Sequence, residues 1–248
     1  MDYFSGQFLI SVLQIVWIDI LLSGDNAVVI ALACRSLPSH QKRLGILLGA
    51  GTAVALRILF ALIIRFLHGV PYLRIVGGLL LFWIAIKLII GEEDHGQDIE
   101  ASDRLWKAVR TIAIADAVMS LDNVVAIAAA SRGHPELFIF GLLLSIPLIM
   151  VGATLITALI ARFPVFVWAG AALLGYIAAE MIVTDPVIVD LLANAGPQFV
   201  TPDPAHPTLG LGPSAAVHYG AAALGALVVI VAGFVFARQG NRGAAKTL

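Results

Sequence analysis

Long apolar runs alternate with short polar breaks along the whole chain. The runs lie near residues 6–34, 44–67, 70–90, 106–131, 137–161, 164–184 and 215–237. A helix needs roughly 20 such residues to cross a bilayer core. The pattern therefore predicts an all-α polytopic membrane protein with seven transmembrane helices. Two connections stand out. Residues 91–107, GEEDHGQDIEASDRLWK, are polar and mostly acidic. Residues 185–214 hold Asp185, Asp190 and Asp203 and the tract TPDPAHPTLGLGP, and read as an irregular loop. The first run is long and follows Asp2 rather than a basic cluster, so it reads as a retained span and not a cleaved signal.

Orientation follows from the distribution of Lys and Arg between the loops. With the C-terminus in the cytoplasm, the inner side holds Arg35, Lys42, Arg43, Arg104, Lys107, Arg110, Arg162, Arg238, Arg242 and Lys246. The outer side holds only Arg65, Arg74 and Arg132. The expected placement is multi-pass in a cytoplasmic membrane, N-terminus outside and C-terminus inside.

Composition strengthens the membrane reading. The chain is 60% hydrophobic and 12% charged, with a mean hydropathy of +0.98, whereas soluble domains carry about 25% charged residues. A net charge of −1 gives no case for a nucleic-acid partner. The lone Cys34 allows no internal disulfide and reads as a small buried residue.

The chain also repeats itself. DILLSGDNAVVIALACR (19–35) aligns without gaps on DAVMSLDNVVAIAAASR (116–132). Asp19 matches Asp116, Ser23 matches Ser120, and Asp25-Asn26 matches Asp122-Asn123. Arg65-Phe66 matches Arg162-Phe163, and GGLLLFWIAIKLI (77–89) resembles AGAALLGYIAAEMIV (169–183), with Lys87 opposite Glu180. Each unit holds three helices. An odd number inserts the second unit from the opposite side, the inverted-repeat plan of many secondary transporters. The expected segments are a first three-helix repeat (1–91), a polar cytoplasmic linker (92–104), a second three-helix repeat (105–184), an extracytoplasmic loop (185–214), a seventh helix outside the repeat (215–238) and a cytoplasmic tail (239–248).

Asp19, Asp25, Asp116 and Asp122 all fall inside predicted spans, where an ionised Asp near a helix centre costs about 2.5–3.5 kcal/mol. A bound cation, a base, a proton or trapped water must compensate. At 100° per residue, positions 19, 23 and 26 share one helical face, as do 116, 120 and 123. Asp25 and Asp122 point about 120° away and join the same site if the helices loosen locally, as Gly24 would allow in the first repeat. The candidate ligands are Asp19, Asp25, Asn26, Asp116, Asp122 and Asn123, with Ser23 and Ser120 either ligands or packing residues. These are hard oxygen donors, suited to Mn²⁺, Mg²⁺ or Ca²⁺ rather than to metals that favour sulfur or imidazole. No His lies among them. The alternative is structural: single polar residues in spans commonly join helices, and one Asp could pair with Arg57 or Lys87. Arg57 has no counterpart in the fifth helix; it either neutralises an Asp when a cation leaves or serves as a structural partner. Lys87 and Glu180 could couple charge between the halves, Glu180 could carry protons, or Lys87 could snorkel to the inner interface.

On DILLSGDN and DAVMSLDN, together with the WIAIKL and YIAAEM helix ends, the chain resembles the TerC family of integral membrane proteins, in the YjbE-type branch of the LysE-like transporter group. The likeness covers about residues 1–184. It implies a seven-helix secondary transporter, not an enzyme, that exports Mn²⁺ or another hard divalent cation as its substrate, with no tightly bound cofactor. It also implies metal-site roles for Asp19, Asp25, Asn26, Asp116, Asp122 and Asn123. Where some relatives have Glu as the first acid, this chain has Asp in both repeats. Proton antiport is the natural counter-movement, because emptied buried carboxylates favour protonation. Readings from other classes are an intramembrane aspartyl protease, in which two Asp share a proton, and a membrane scaffold that moves no solute. No G-x-x-x-x-G-K-[ST] phosphate loop is present.

Overall fold

The computed structural model describes the backbone of residues 6–67, 70–90, 101–130, 135–203 and 210–244. Among the described residues, seven long helices follow one another: α1 (Gly6–Cys34), α2 (Ser39–Leu67), α3 (Leu73–Ile90), α4 (Ala101–Ala130), α5 (Pro135–Arg162), α6 (Val165–Val183) and, after a short α7 (Pro186–Ala195), α8 (Ala215–Ala244). Four of them contain a window long and apolar enough to cross a membrane: Ser39–Phe60, Leu73–Ile90, Val165–Val183 and Ala215–Phe236. Large apolar side chains such as Trp17, Leu79, Trp83 and Leu224 face outward. A soluble fold would bury many of these, but lipid is as apolar as they are. The chain is an all-α polytopic membrane protein.

The helices overrun the apolar runs where the flanking residues favour it. SHQKR lengthens α2 and ASDRL lengthens α4 at their starts. A helix that continues past the hydrocarbon boundary keeps its backbone groups paired until water can replace those bonds. α5 passes through Pro147 without ending.

The chain divides into two compact units, residues 1–65 with 98–163 and residues 66–97 with 164–248. Each unit takes helices from both sequence repeats. In the first unit, α1 packs along α5 and α4. On α2, Gly45, Gly49, Ala53 and Arg57 recur every fourth residue and are all buried. Side chains of α4 reach into this ridge. A Cβ on Gly49 would lie 2.7 Å from Cδ1 of Ile112, and one on Gly45 would lie 3.5 Å from Cδ1 of Leu105. The contacts ascend together along both helices, so α2 and α4 run in the same direction. Cys34 is buried at the end of α1 with a free thiol.

The second unit is built from α3, α6 and α8, again through small residues. A Cβ on Gly78 of α3 would sit 2.5 Å from the Ala178 carbonyl oxygen of α6, and one on Gly175 of α6 would sit 2.5 Å from Cγ2 of Val229 on α8. Gly233 of α8 abuts both Ile89 and Trp168. α6 therefore runs antiparallel to α3 and α8, which are parallel to each other.

The segment 185–214 is not an irregular loop throughout. It forms α7, a single 3₁₀ turn (Pro197–Phe199) and a two-stranded antiparallel ribbon, β1 (Val200–Pro202) with β2 (Leu211–Pro213), in which Thr201 pairs with Gly212. The physical reason is local. Asp185 caps α7 by accepting from the Val187 N–H at 3.0 Å, and Pro186 occupies the first helical position, where its missing N–H is no loss. The fully buried Asp185 carboxylate also accepts from the N–H groups of Tyr72 (3.3 Å), Arg74 (3.2 Å) and Ile75 (3.3 Å) at the start of α3. One side chain thus satisfies donors at the N-termini of two helices. Nearby, Arg74 Nη1 donates to the Thr184 carbonyl at 3.1 Å, and Tyr72 adopts a left-handed φ of 65°.

Candidate functional site

The candidate residues lie in the first unit, where α1, α2 and α4 meet. α1 runs without a break through Gly24, so the local loosening expected there does not occur. Nothing lies within 4 Å of a Cβ built on Gly24, so no neighbour wedges the helix open. On this regular helix Asn26 is buried and Asp25 stands at the edge of the buried face. The Asp25 carboxylate bends back toward that face. Its Oδ1 accepts from the Asn26 backbone N–H at 2.6 Å and from the Asn26 amide Nδ2 at 2.8 Å.

α4 is also continuous and presents Asp116 and Ser120 on one buried face. Ser120 Oγ donates to Asp116 Oδ2 at 2.8 Å. That bond fixes one carboxylate oxygen, while Oδ1 has no hydrogen-bond partner among the described residues. From α2, Arg57 reaches the same place. It is completely buried, and its Nη2 lies 3.8 Å from Asp116 Oδ1. This exceeds the range of an N–H···O hydrogen bond, and all three guanidinium nitrogens lack a hydrogen-bond partner among the described residues. The pair is held by charge rather than by the two parallel bonds that Arg and a carboxylate usually form. Asp25 lies close enough to feel the charges of both Arg57 and Asp116. Side chains from α1, α2 and α4 thus act on one another in a region of low dielectric.

The side chains of Asp19, Ser23, Asp122 and Asn123 lie outside the described residues. Among those described, no group of three or more His, Cys, Asp or Glu is placed to hold a metal. The described part of the site is two carboxylates, an amide, a hydroxyl and one guanidinium.

Lys87 and Glu180 do not bridge. Gly78 meets α6 at Ala178, whereas Ile89 shares Gly233 with Trp168. Glu180 therefore lies at the Gly78 end of α3 and Lys87 at the other, about 13 Å further along the helix at 1.5 Å per residue. The Lys87 ammonium sits 5.2 Å from the centre of the Trp83 ring. Glu180 Oε1 lies 3.1 Å from His218 Nε2 on α8. Sequence reasoning missed this His218 partner, because only the packing of α6 on α8 brings the two together. The ridge that delivers Arg57 could have been found in the sequence, as a small residue at every fourth position leading up to it.

A buried acid on α4 beside a buried arginine, with a half-buried acid on the packed helix α1, within an all-α chain of long apolar helices, defines an integral membrane protein with ionisable groups in its helical core. The chain matches the family described as "Integral membrane protein TerC family" over residues 4–241. It is 43% identical over 190 residues to the Bacillus subtilis (strain 168) protein named "Uncharacterized membrane protein YjbE", covering 77% of this chain and 87% of that one. It is 28% identical over 177 residues to "Uncharacterized membrane protein YceF" of the same organism, covering 68% of each. No solved structure matches. The chain belongs to the TerC family of integral membrane proteins, in its YjbE-type branch.

Proposed function

We propose that this protein is a secondary transporter that carries a hard divalent cation, Mn²⁺ foremost, out of the cytoplasm by alternating access. The observation that carries the reading is the packing of α1 on α4, which places Asp25 within reach of the charge of Asp116, itself 3.8 Å from the buried Arg57. Two acids brought together in low dielectric repel each other and favour a doubly charged guest over water. Asn26 and Ser120 add neutral oxygen chemistry of the kind that Mn²⁺, Mg²⁺ and Ca²⁺ accept. Asp19, Asp122 and Asn123 complete the proposed donor set from the repeat.

The directions of the helices support a seven-span path. α2 parallel to α4, α3 parallel to α8, and α6 antiparallel to both α3 and α8 are the relations that an alternating chain of seven spans produces. In that path the N-terminus lies outside and the C-terminus in the cytoplasm, and an odd count of three helices per repeat supplies the inverted symmetry used for alternating access. After release, the emptied carboxylates take up protons or lean on resident positive charge before the return step.

The test is Mn²⁺ flux into proteoliposomes containing the purified protein. Saturable flux is expected, and Asp25→Asn and Asp116→Asn should each abolish it. In cells, deletion should raise intracellular manganese while leaving magnesium, calcium and iron unchanged. Folded Asp25→Asn and Asp116→Asn variants that carry Mn²⁺ at the wild-type rate would sink the proposal.

A further inference from the structure

The α2 ridge ends on a guanidinium that is wholly buried, faces a carboxylate oxygen at 3.8 Å, and makes no hydrogen bond to any described residue. An arginine that serves only to lock two helices together is normally bound through several N–H groups, because its planar fork is built for bidentate contact. Here the partner carboxylate is fixed by another group, Ser120, and keeps the oxygen nearer Arg57 unbonded. The geometry is that of a positive charge parked beside an acid without being fastened to it.

We propose that Arg57 is a tethered counter-cation of the transport site, holding Asp116 when no metal is present, competing with the metal once it arrives, and so promoting its release. The proposal rests on the transport reading above and names a positioning residue for it. Burial makes the competition strong, since a charge at this distance in low dielectric acts with several times its strength in water. A divalent cation feels the opposing charge twice over and is held less tightly than bare carboxylates would hold it. An exporter that held its cargo too tightly would load but not discharge. Asp25 belongs to the same field, because Arg57 acts on it as well.

The experiment is Mn²⁺ flux and equilibrium Mn²⁺ binding with the full-length protein and three variants. Arg57→Met removes the charge with little change in volume. It should lower KM for Mn²⁺ and the dissociation constant by at least about tenfold, while maximal flux falls. Arg57→Lys, which keeps the charge, should move both values back toward wild type. A merely structural arginine would instead lower flux with KM unchanged or raised, and that result in a folded Arg57→Met protein overturns the inference. Arg57→Gln, polar and smaller, serves the same purpose if the Met variant does not fold. The unaltered protein gives an independent readout. With arginine labelled with ¹⁵N, Mn²⁺ should shift the guanidinium signal that is missing from the Arg57→Lys variant, and a signal indifferent to bound Mn²⁺ would also overturn the inference. If the wild-type protein neither binds nor moves Mn²⁺, Mg²⁺ or Ca²⁺, the transport reading itself fails. If it transports but KM does not respond to Arg57, only the present inference fails.

Discussion

Asp185→Ala isolates a heavily used side chain outside the candidate site. The substitution removes four acceptor contacts, to Val187 at 3.0 Å and to Tyr72, Arg74 and Ile75 at 3.2–3.3 Å. Losing a helix N-cap costs about 1 kcal/mol. Bonds to a charged acceptor contribute about 1.5–3 kcal/mol each, but the three to α3 are long and share two oxygens, so we count them at about 0.5 kcal/mol each. The sum is a loss of about 2.5 kcal/mol, divided between the starts of α3 and α7. Hydrogen exchange in detergent micelles reads that division directly. At 1.4 kcal/mol per factor of ten, the amides of Tyr72, Arg74 and Ile75 should together report roughly tenfold faster exchange, and Val187 about fivefold. Amides of α1, in the other unit, should keep their rates. Asp185→Asn retains one oxygen and should fall between the two. Unchanged exchange at Tyr72–Ile75 in Asp185→Ala would refute the shared-cap account.

Two further outcomes follow from packing and charge. Gly78→Ala sets a methyl group 2.5 Å from a backbone oxygen of α6, which cannot swing aside; it should cost about 1–3 kcal/mol in detergent melting experiments, whereas Gly51→Ala, with nothing within 4 Å, should be neutral or stabilising by about 0.5–1 kcal/mol. Asp116→Asn strands Arg57 as a buried charge without the counter-charge 3.8 Å away and should destabilise by about 3 kcal/mol; adding Arg57→Met should restore part of that loss in the same melting assay, and a double variant no more stable than the single one would contradict the pairing.

Much of the fold was legible in the apolar runs, because membrane helices must satisfy their backbones internally and hydropathy marks their extent. The run at 6–34 became α1 with the same ends, and 164–184 became α6 (Val165–Val183). Partnerships between helices were less legible. Hydropathy says that Leu73–Ile90 spans, but only Gly78 against Ala178 shows which helix it packs on. The tract after Asp185 was misread because proline and glycine were taken as loop signals, when Asp185-Pro186 is itself a helix-start signature. At the site, the helical face shared by Asp116 and Ser120 followed from periodicity, and the hydrogen bond joins those two residues. The place of Arg57 did not follow, since a lone arginine in a span fits several partners until the ridge beneath it is seen.

The interleaving of helices between the two units bears on how the chain is made. The first unit takes its last helices from residues 98–163, so α1 and α2 enter the membrane before α4 and α5 have been synthesised. Asp116 leaves the ribosome about 60 residues after Arg57, and at roughly 5–20 residues per second the guanidinium waits on the order of 3–12 s for its carboxylate. During that interval an unpaired arginine in hydrocarbon would cost about 2.5–3.5 kcal/mol, a cost avoided near lipid headgroups or beside the translocation machinery. α2 is therefore expected to seat fully only after α4 arrives.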